Sequence, residues 1–229
     1  MDEIGRKKGL GEQAFERLKH DIVWCHLSPG AEVSEAHLCQ RYGLGKAPIR
    51  HALSRLVENG YVMAIPRRGH VITPITLQSV KDIFDMRLLL EPAAVERACG
   101  RVDEARLRQL DAECEQNYEP GNVESEARFM AANRRFHMEI ARASGNARLA
   151  ASLEQIMEEM IRPLHLGFVI RERPSEFNSE HSALIDAVVG GAPDEARRIT
   201  AEHIESVRAL VIDGILTRTS ILSANIAPA

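Results

Sequence analysis

The sequence predicts a mainly α-helical protein in two parts, an N-terminal winged helix-turn-helix and a C-terminal antiparallel all-helical bundle. Three observations carry that expectation. Long runs rich in Ala, Leu, Glu and Arg, with only 4% aromatic residues, favour helix over strand. The stretch from Ser34 to Gly60, SEAHLCQRYGLGKAPIRHALSRLVENG, reads as two short helices around a glycine-marked turn. Beyond Thr73-Pro74 the apolar residues recur at helical spacing almost to the end, and no strand pattern competes.

In chain order, residues 1 to 9 carry Arg6, Lys7 and Lys8 without periodicity and predict a solvated arm. From Glu12 to about His26, Ala14, Phe15, Leu18, Ile22, Val23 and Cys25 recur at helical spacing, and Leu27-Ser28-Pro29-Gly30 ends that helix in a turn. Ser34 is the expected N-cap of the next helix, with Ala36, Leu38 and Cys39 on its apolar side before Gly43-Leu44-Gly45. A third helix starts near Lys46. Pro48 fits its first turn, where a missing N–H costs nothing, and Gly60 lies just past its end. Ile49, Ala52, Leu53, Leu56 and Val57 form its buried stripe, and Lys46, Arg50, Ser54 and Arg55 lie away from it. Tyr61 to Ile65 and His70 to Thr73 are β-prone runs bridged by Pro66-Arg67-Arg68-Gly69, which predicts a two-stranded wing with a basic tip. Such a helix reads base edges in a major groove, and such a wing rests on backbone or minor groove.

Charge is divided accordingly. The chain is −4 overall, yet residues 1–73 hold 11 Lys+Arg against 8 Asp+Glu and residues 74–229 hold 18 against 25. That asymmetry predicts a polyanion-binding head, residues 1–73, on an acidic body, residues 74–229. No apolar run approaches the ~20 residues of a membrane span and the N-terminus has no signal-peptide core, so a cytoplasmic protein without a membrane partner is expected. Cys25, Cys39, Cys99 and Cys114 form no C-x-x-C pair and read as reduced structural thiols.

The second part predicts helices over 76–99 (kinked by Pro92), 103–117, 123–143, 146–167, 175–189 and 193–217, with the tail from Thr219 frayed. Asn117 to Gly121, Ser144-Gly145, Arg173-Pro174 and Gly190 to Pro193 supply the breaks, and Asn146 and Ser175 the candidate caps. Polar residues interrupt three apolar stripes. They are Phe129, Asn133, Phe136, His137, Ile140; Phe177, His181, Leu184, Ile185, Val188; and Ala196, Ile199, His203, Val207, Leu210. A single inward histidine is ordinarily a core residue bonded to a carbonyl. Three of them, each costing about 1–3 kcal/mol if left unpaired, raise the reading of a shared divalent transition metal. Arg87 shares a stripe with Ile83, Leu90 and Ala94, and its charge calls either for an anionic ligand or for a salt bridge to Glu91 or another acid.

These residues also carry a resemblance. Pro29-Gly30, Leu38, Gly43, Pro48-Ile49-Arg50-His51-Ala52-Leu53, Leu56, Gly60-Tyr61 and Arg68-Gly69 resemble the winged helix-turn-helix head of GntR-type bacterial transcription regulators. Arg87 with Leu90-Glu91, Asn133 to His137 with Ala143-Ser144-Gly145-Asn146, Glu180-His181 and His203-Ile204 resemble the FCD ligand-binding domain of the FadR subfamily. The resemblance implies a homodimer on double-stranded operator DNA, contacted through Lys46, Arg50, His51, Arg55, Arg67 and Arg68. It implies metal ligands Asn133, His137, His181 and His203 for Zn, Ni or a similar ion, and a small organic acid effector on Arg87. Two departures stand out. Gly45-Lys46-Ala47 replaces the usual Ser-Arg-Thr and His51 the usual Glu, while Asn133 replaces the usual Asp and leaves the metal one negative charge short. The competing reading, a metal-dependent hydrolase or lyase on the bundle, lacks an H-E-x-x-H motif or an added acid/base at a recognisable spacing.

Overall fold

The computed structural model describes residues 9–67, 69–115, 122–168 and 176–224. The arm residues Arg6, Lys7 and Lys8, the wing residue Arg68, the break at Asn117 to Gly121 and the Arg173-Pro174-Ser175 break and cap lie outside the described residues. The chain divides into two compact units, Met1–Ile75 and Thr76–Ala229.

The first unit runs α1 (Leu10–Val23), β1 (Glu32–Val33), α2 (Glu35–Tyr42), α3 (Lys46–Glu58), β2 (Val62–Ile65) and β3 (Gly69–Ile72). Ala14, Phe15, Leu18 and Ile22 of α1, Leu38 of α2 and Ile49, Ala52, Leu53 and Leu56 of α3 form the buried face predicted from their spacing. Ser34 caps α2 by accepting the His37 N–H at 3.2 Å, and Gly43 turns the chain in the left-handed region at φ 65°, where a side chain would be strained. The wing is three-stranded rather than two. β3 lies between β1 and β2, antiparallel to both, with Glu32 opposite Val71 and Val62 opposite Ile72. A two-residue strand such as β1 is too short to show a period of two, so nothing in the sequence pattern marks it.

The second unit is all helix among the described residues: α4 (Leu77–Ala98), α5 (Glu104–Glu115), α6 (Val123–Ala143), α7 (Ala147–Glu159), α8 (Ile161–Phe168), α9 (Glu176–Val189) and α10 (Pro193–Ala224). Thr76 and Ser79 form a capping box on α4, and Asn146 caps α7 by accepting the Arg148 and Leu149 N–H groups at 3.2 Å. The helix expected over 146–167 is two. Pro163 has no N–H to give the Glu159 carbonyl four residues back, and the break falls at Met160. The last helix continues to Ala224, past the fraying point expected at Thr219. Val95, Ala98, Leu107, Leu110, Phe136, Ile140, Leu184, Ile185, Val188 and Ala196 make a contiguous core joining α4, α5, α6, α9 and α10. No helix among the described residues is long and apolar enough to cross a membrane.

Candidate DNA-reading face and histidine centre

On the head, Lys46, Arg50, His51 and Arg67 are exposed. Gly45 precedes α3 without a side-chain cap, as the loss of the usual hydroxyls implies. The Arg50 Nε lies 2.8 and 2.9 Å from the two Glu35 oxygens, so an acid at the start of α2 holds the principal base-reading candidate. His51 packs on Gly11 of α1, where a Cβ would sit 2.7 Å from the imidazole. Arg55 departs from the exposed position expected of it. It is half-buried, paired with Glu12, and its guanidinium lies 3.9 Å from the centre of the Phe15 ring, so it joins α3 to α1. Arg67 stands in the wing turn with φ 66°, outside the usual range for a side-chain-bearing residue.

In the bundle, α6, α9 and α10 bring His137, His181 and His203 together, 6%, 1% and 5% exposed. Their ring centres are 5.2–5.5 Å apart, and one donor atom from each lies within 4.8 Å of the others. Phe136 stacks on His181 at 4.2 Å and fixes that ring. Each imidazole has a carboxylate on its Nδ1: Glu91 to His137 at 3.1 Å, Asp111 to His181 at 3.0 Å and Glu180 to His203 at 2.7 Å. Metal-ligating histidines have this arrangement, since the carboxylate fixes the tautomer and leaves Nε2 to bind. The buried His137 Nε2 has no hydrogen-bond partner, so the donor set fits a divalent transition ion on chemistry as well as spacing. Asn133, one turn before His137, is half-buried.

Arg87, 2% exposed, is paired with Glu91, which reaches His137 with its other oxygen. The salt-bridge alternative is therefore the arrangement present. Burial pushes the Glu91 carboxyl up, but Arg87 and His137 outweigh it and hold it well below the usual carboxylate range. The cavity bounded by Glu91, His137 and Thr200 is about 10 Å³, room for about one water. Sequence reading missed Asp111 and Glu180 as histidine partners, because on one helix each looks like an ordinary solvated acid. It also missed the buried His165–Glu126 pair at 3.2 Å, with Arg162 buried one turn before His165. These partners are distant in sequence, and only the packing of the helices joins them.

A basic recognition helix with a wing, attached to a helical bundle holding a buried polar centre, defines a DNA-binding transcription regulator. The chain belongs to the FCD group of the gntR family of bacterial regulatory proteins: the FCD domain matches residues 82–206 and the gntR family residues 10–72. It is 23% identical over 202 residues to the HTH-type transcriptional repressor RspR of Escherichia coli (strain K12), covering 86% of this chain and 87% of that one. It is 28% identical over 213 residues to the uncharacterized HTH-type transcriptional regulator BphR of Paraburkholderia xenovorans, covering 89% and 85%. Among solved structures, E. coli McbR/YncC superposes with TM-score 0.71 at 24% identity over 90% of this chain and 99% of that one. A GntR regulator from Rhodococcus sp. RHA1 superposes with TM-score 0.70 at 19% identity over 89% and 97%; at these identities both likenesses are of fold. The families and these relatives are transcription regulators, not enzymes, which sets aside the hydrolase or lyase reading.

Proposed function

We propose that the chain works in the cytoplasm as a homodimer whose grip on a palindromic operator is set by a small organic acid bound beside a divalent metal in the bundle. The observation that carries this reading is the trio of buried imidazoles, each with a carboxylate on Nδ1. His137, His181 and His203 would hold the ion, with the Asn133 carbonyl oxygen as a neutral fourth ligand. Glu91, Asp111 and Glu180, one shell out, offset the charge that Asn133 does not supply. The ion would give the carboxylate effector a positive centre to bind.

Arg87 is the second anchor, and here Glu91 has two roles. An acid taking the guanidinium displaces Glu91 from Arg87 and thereby disturbs the partner of His137. Since the cavity there is small, binding requires the helices to shift, which gives the effector a structural output. On the dimer, Met86 and Leu89 of α4, 43% and 69% exposed, offer an apolar face to a second copy. Lys46, Arg50, His51 and Arg67, with Arg68, supply the DNA contacts; Arg55 supports α3 from behind.

The test is thermal stability of metal-loaded and chelator-treated protein across Zn(II), Ni(II) and small carboxylates. Metal raises Tm, carboxylates raise it further only in the loaded protein, and His181→Ala abolishes the carboxylate effect and lessens that of the metal. Carboxylates that stabilise chelated protein and His181→Ala equally would replace the joint site by a metal-free pocket.

A further inference from the structure

The head holds its own cluster of metal-ligating groups. His20 and Asp21 stand in the last turn of α1, and Cys25, in the left-handed region at φ 55°, turns the chain so that His26 returns over that helix end. The Leu27 N–H closes this turn on the Asp21 carbonyl at 2.9 Å. Asp21 Oδ1 faces two imidazoles, at 3.5 Å from the Nδ1 of His20 and 3.5 Å from the Nδ1 of His26. The other oxygen, Oδ2, accepts the Tyr42 hydroxyl at 2.6 Å and the Arg41 guanidinium at 2.9 Å. One carboxylate oxygen is thus fixed by α2 while the other is aimed between two histidines.

The spacing is that of a ligand set. Bonds of about 2.0–2.1 Å meeting at a tetrahedral angle place donor atoms about 3.4 Å apart. Both histidine-to-Asp21 separations fall at that value, and all three donors lie within 4.8 Å of one another. An open groove of about 580 Å³, lined by Glu16, Arg17, His20, Asp21, Arg41 and Tyr42, leaves room for water as a further ligand. Two imidazoles and one carboxylate suit a transition ion and exclude the all-oxygen preference of Mg(II) or Ca(II). Arg41 opposes a cation, but its hydrogen bond goes to the oxygen that does not face the histidines.

We propose that His20, Asp21 and His26 form a second divalent transition-metal site, in the DNA-binding unit and independent of the bundle centre, with Tyr42 and Arg41 holding the Asp21 ligand. Because Asp21 is bonded to the last residues of α2, an ion there fastens the end of α1 to the helix-turn-helix just ahead of the Gly43 turn.

Zn(II) binding to the full chain, followed by titration calorimetry with Co(II) absorption as a second readout, tests this. Wild type takes up one more equivalent per chain than either His20→Ala or His26→Gln, whose side chains are 60% and 46% exposed and whose replacement leaves the core intact. Each loses at least about 100-fold in affinity for that equivalent, and Tyr42→Phe about 10-fold through the misheld Asp21. Equal stoichiometry and affinity in wild type, His20→Ala and His26→Gln overturns the proposal. The bundle reading stands or falls separately: loss of the equivalent that His181→Ala removes leaves the head equivalent in place, and the converse also holds.

Discussion

At the scale of single residues, acids decide what the basic and imidazole groups can do. Glu91 is fully enclosed between Arg87 and His137, and removing its charge leaves the buried guanidinium without its partner. Glu91→Gln should therefore lower the unfolding free energy by about 3–5 kcal/mol, the usual cost of breaking one side of a buried pair. The same carboxyl gives a pH dependence whose sign is fixed. Its folded pKa is depressed from 4.5, so its stabilisation is fully present above that value and is lost as pH falls below it toward the folded pKa. Urea midpoints measured from pH 6 downward should fall more steeply for wild type than for Glu91→Gln. Parallel curves would assign the acid sensitivity to other carboxylates. Arg50 gives the corresponding prediction on the head. Arg50→Ala should abolish discrimination between operator and random DNA in an anisotropy titration, since an exposed arginine on α3, held by Glu35, is the side chain that can bond guanine bidentately. Retained discrimination would move the base-reading role elsewhere on α3 or the wing.

At the scale of elements, what could be read from the sequence was what repeats locally. Helical spacing and caps such as Ser34 and Asn146 give most of the helices, and the inward placement of His137, His181 and His203 follows from the same periodicity. What depends on a partner distant in the chain could not be read: Asp111 under His181, Glu12 on Arg55, and β1 beside β3. The division of α7 from α8 was readable in principle, through Pro163. Helix α8 crosses α10 at Gly167 against Gly214, so closely that a Cβ on Gly214 would fall on the Gly167 backbone, and a Cβ on Gly167 would lie 2.9 Å from the Val211 Cα. Two effects compete in Gly214→Ala. The helix gains about 1 kcal/mol of propensity, whereas backbone overlap forces the crossing apart at a cost of about 1–3 kcal/mol or more, and backbone cannot swing aside as a side chain can. Net destabilisation is expected, and thermal melts of Gly214→Ala against Gly214→Ser, the larger substitution, should rank serine lower. A stabilised alanine variant would mean that the crossing is looser than its geometry.

At the scale of the whole molecule, a regulator must couple a polyanion-binding head to an acidic body, and coupling has a thermodynamic signature. On the proposed reading Lys46, Arg50, Arg67 and their neighbours neutralise operator phosphates, and each phosphate neutralised adds about 0.9 to the steepness of log K against log salt. Lys46→Ala should reduce that slope by about one while leaving the preference for operator over random DNA intact, because a lysine on phosphate positions the head without reading sequence. Effector control makes a stricter demand. If a carboxylate in the bundle changes operator affinity by some factor, operator must change carboxylate affinity by the same factor, since both describe one cycle. Calorimetric titration of the same acid into free protein and into the protein–operator complex measures this directly. The two affinities should differ by the factor by which the acid shifts operator binding, and Arg87→Ala should bring both ratios to one together. Ratios that stay equal to each other but remain away from one in Arg87→Ala would place the acid's action outside the bundle.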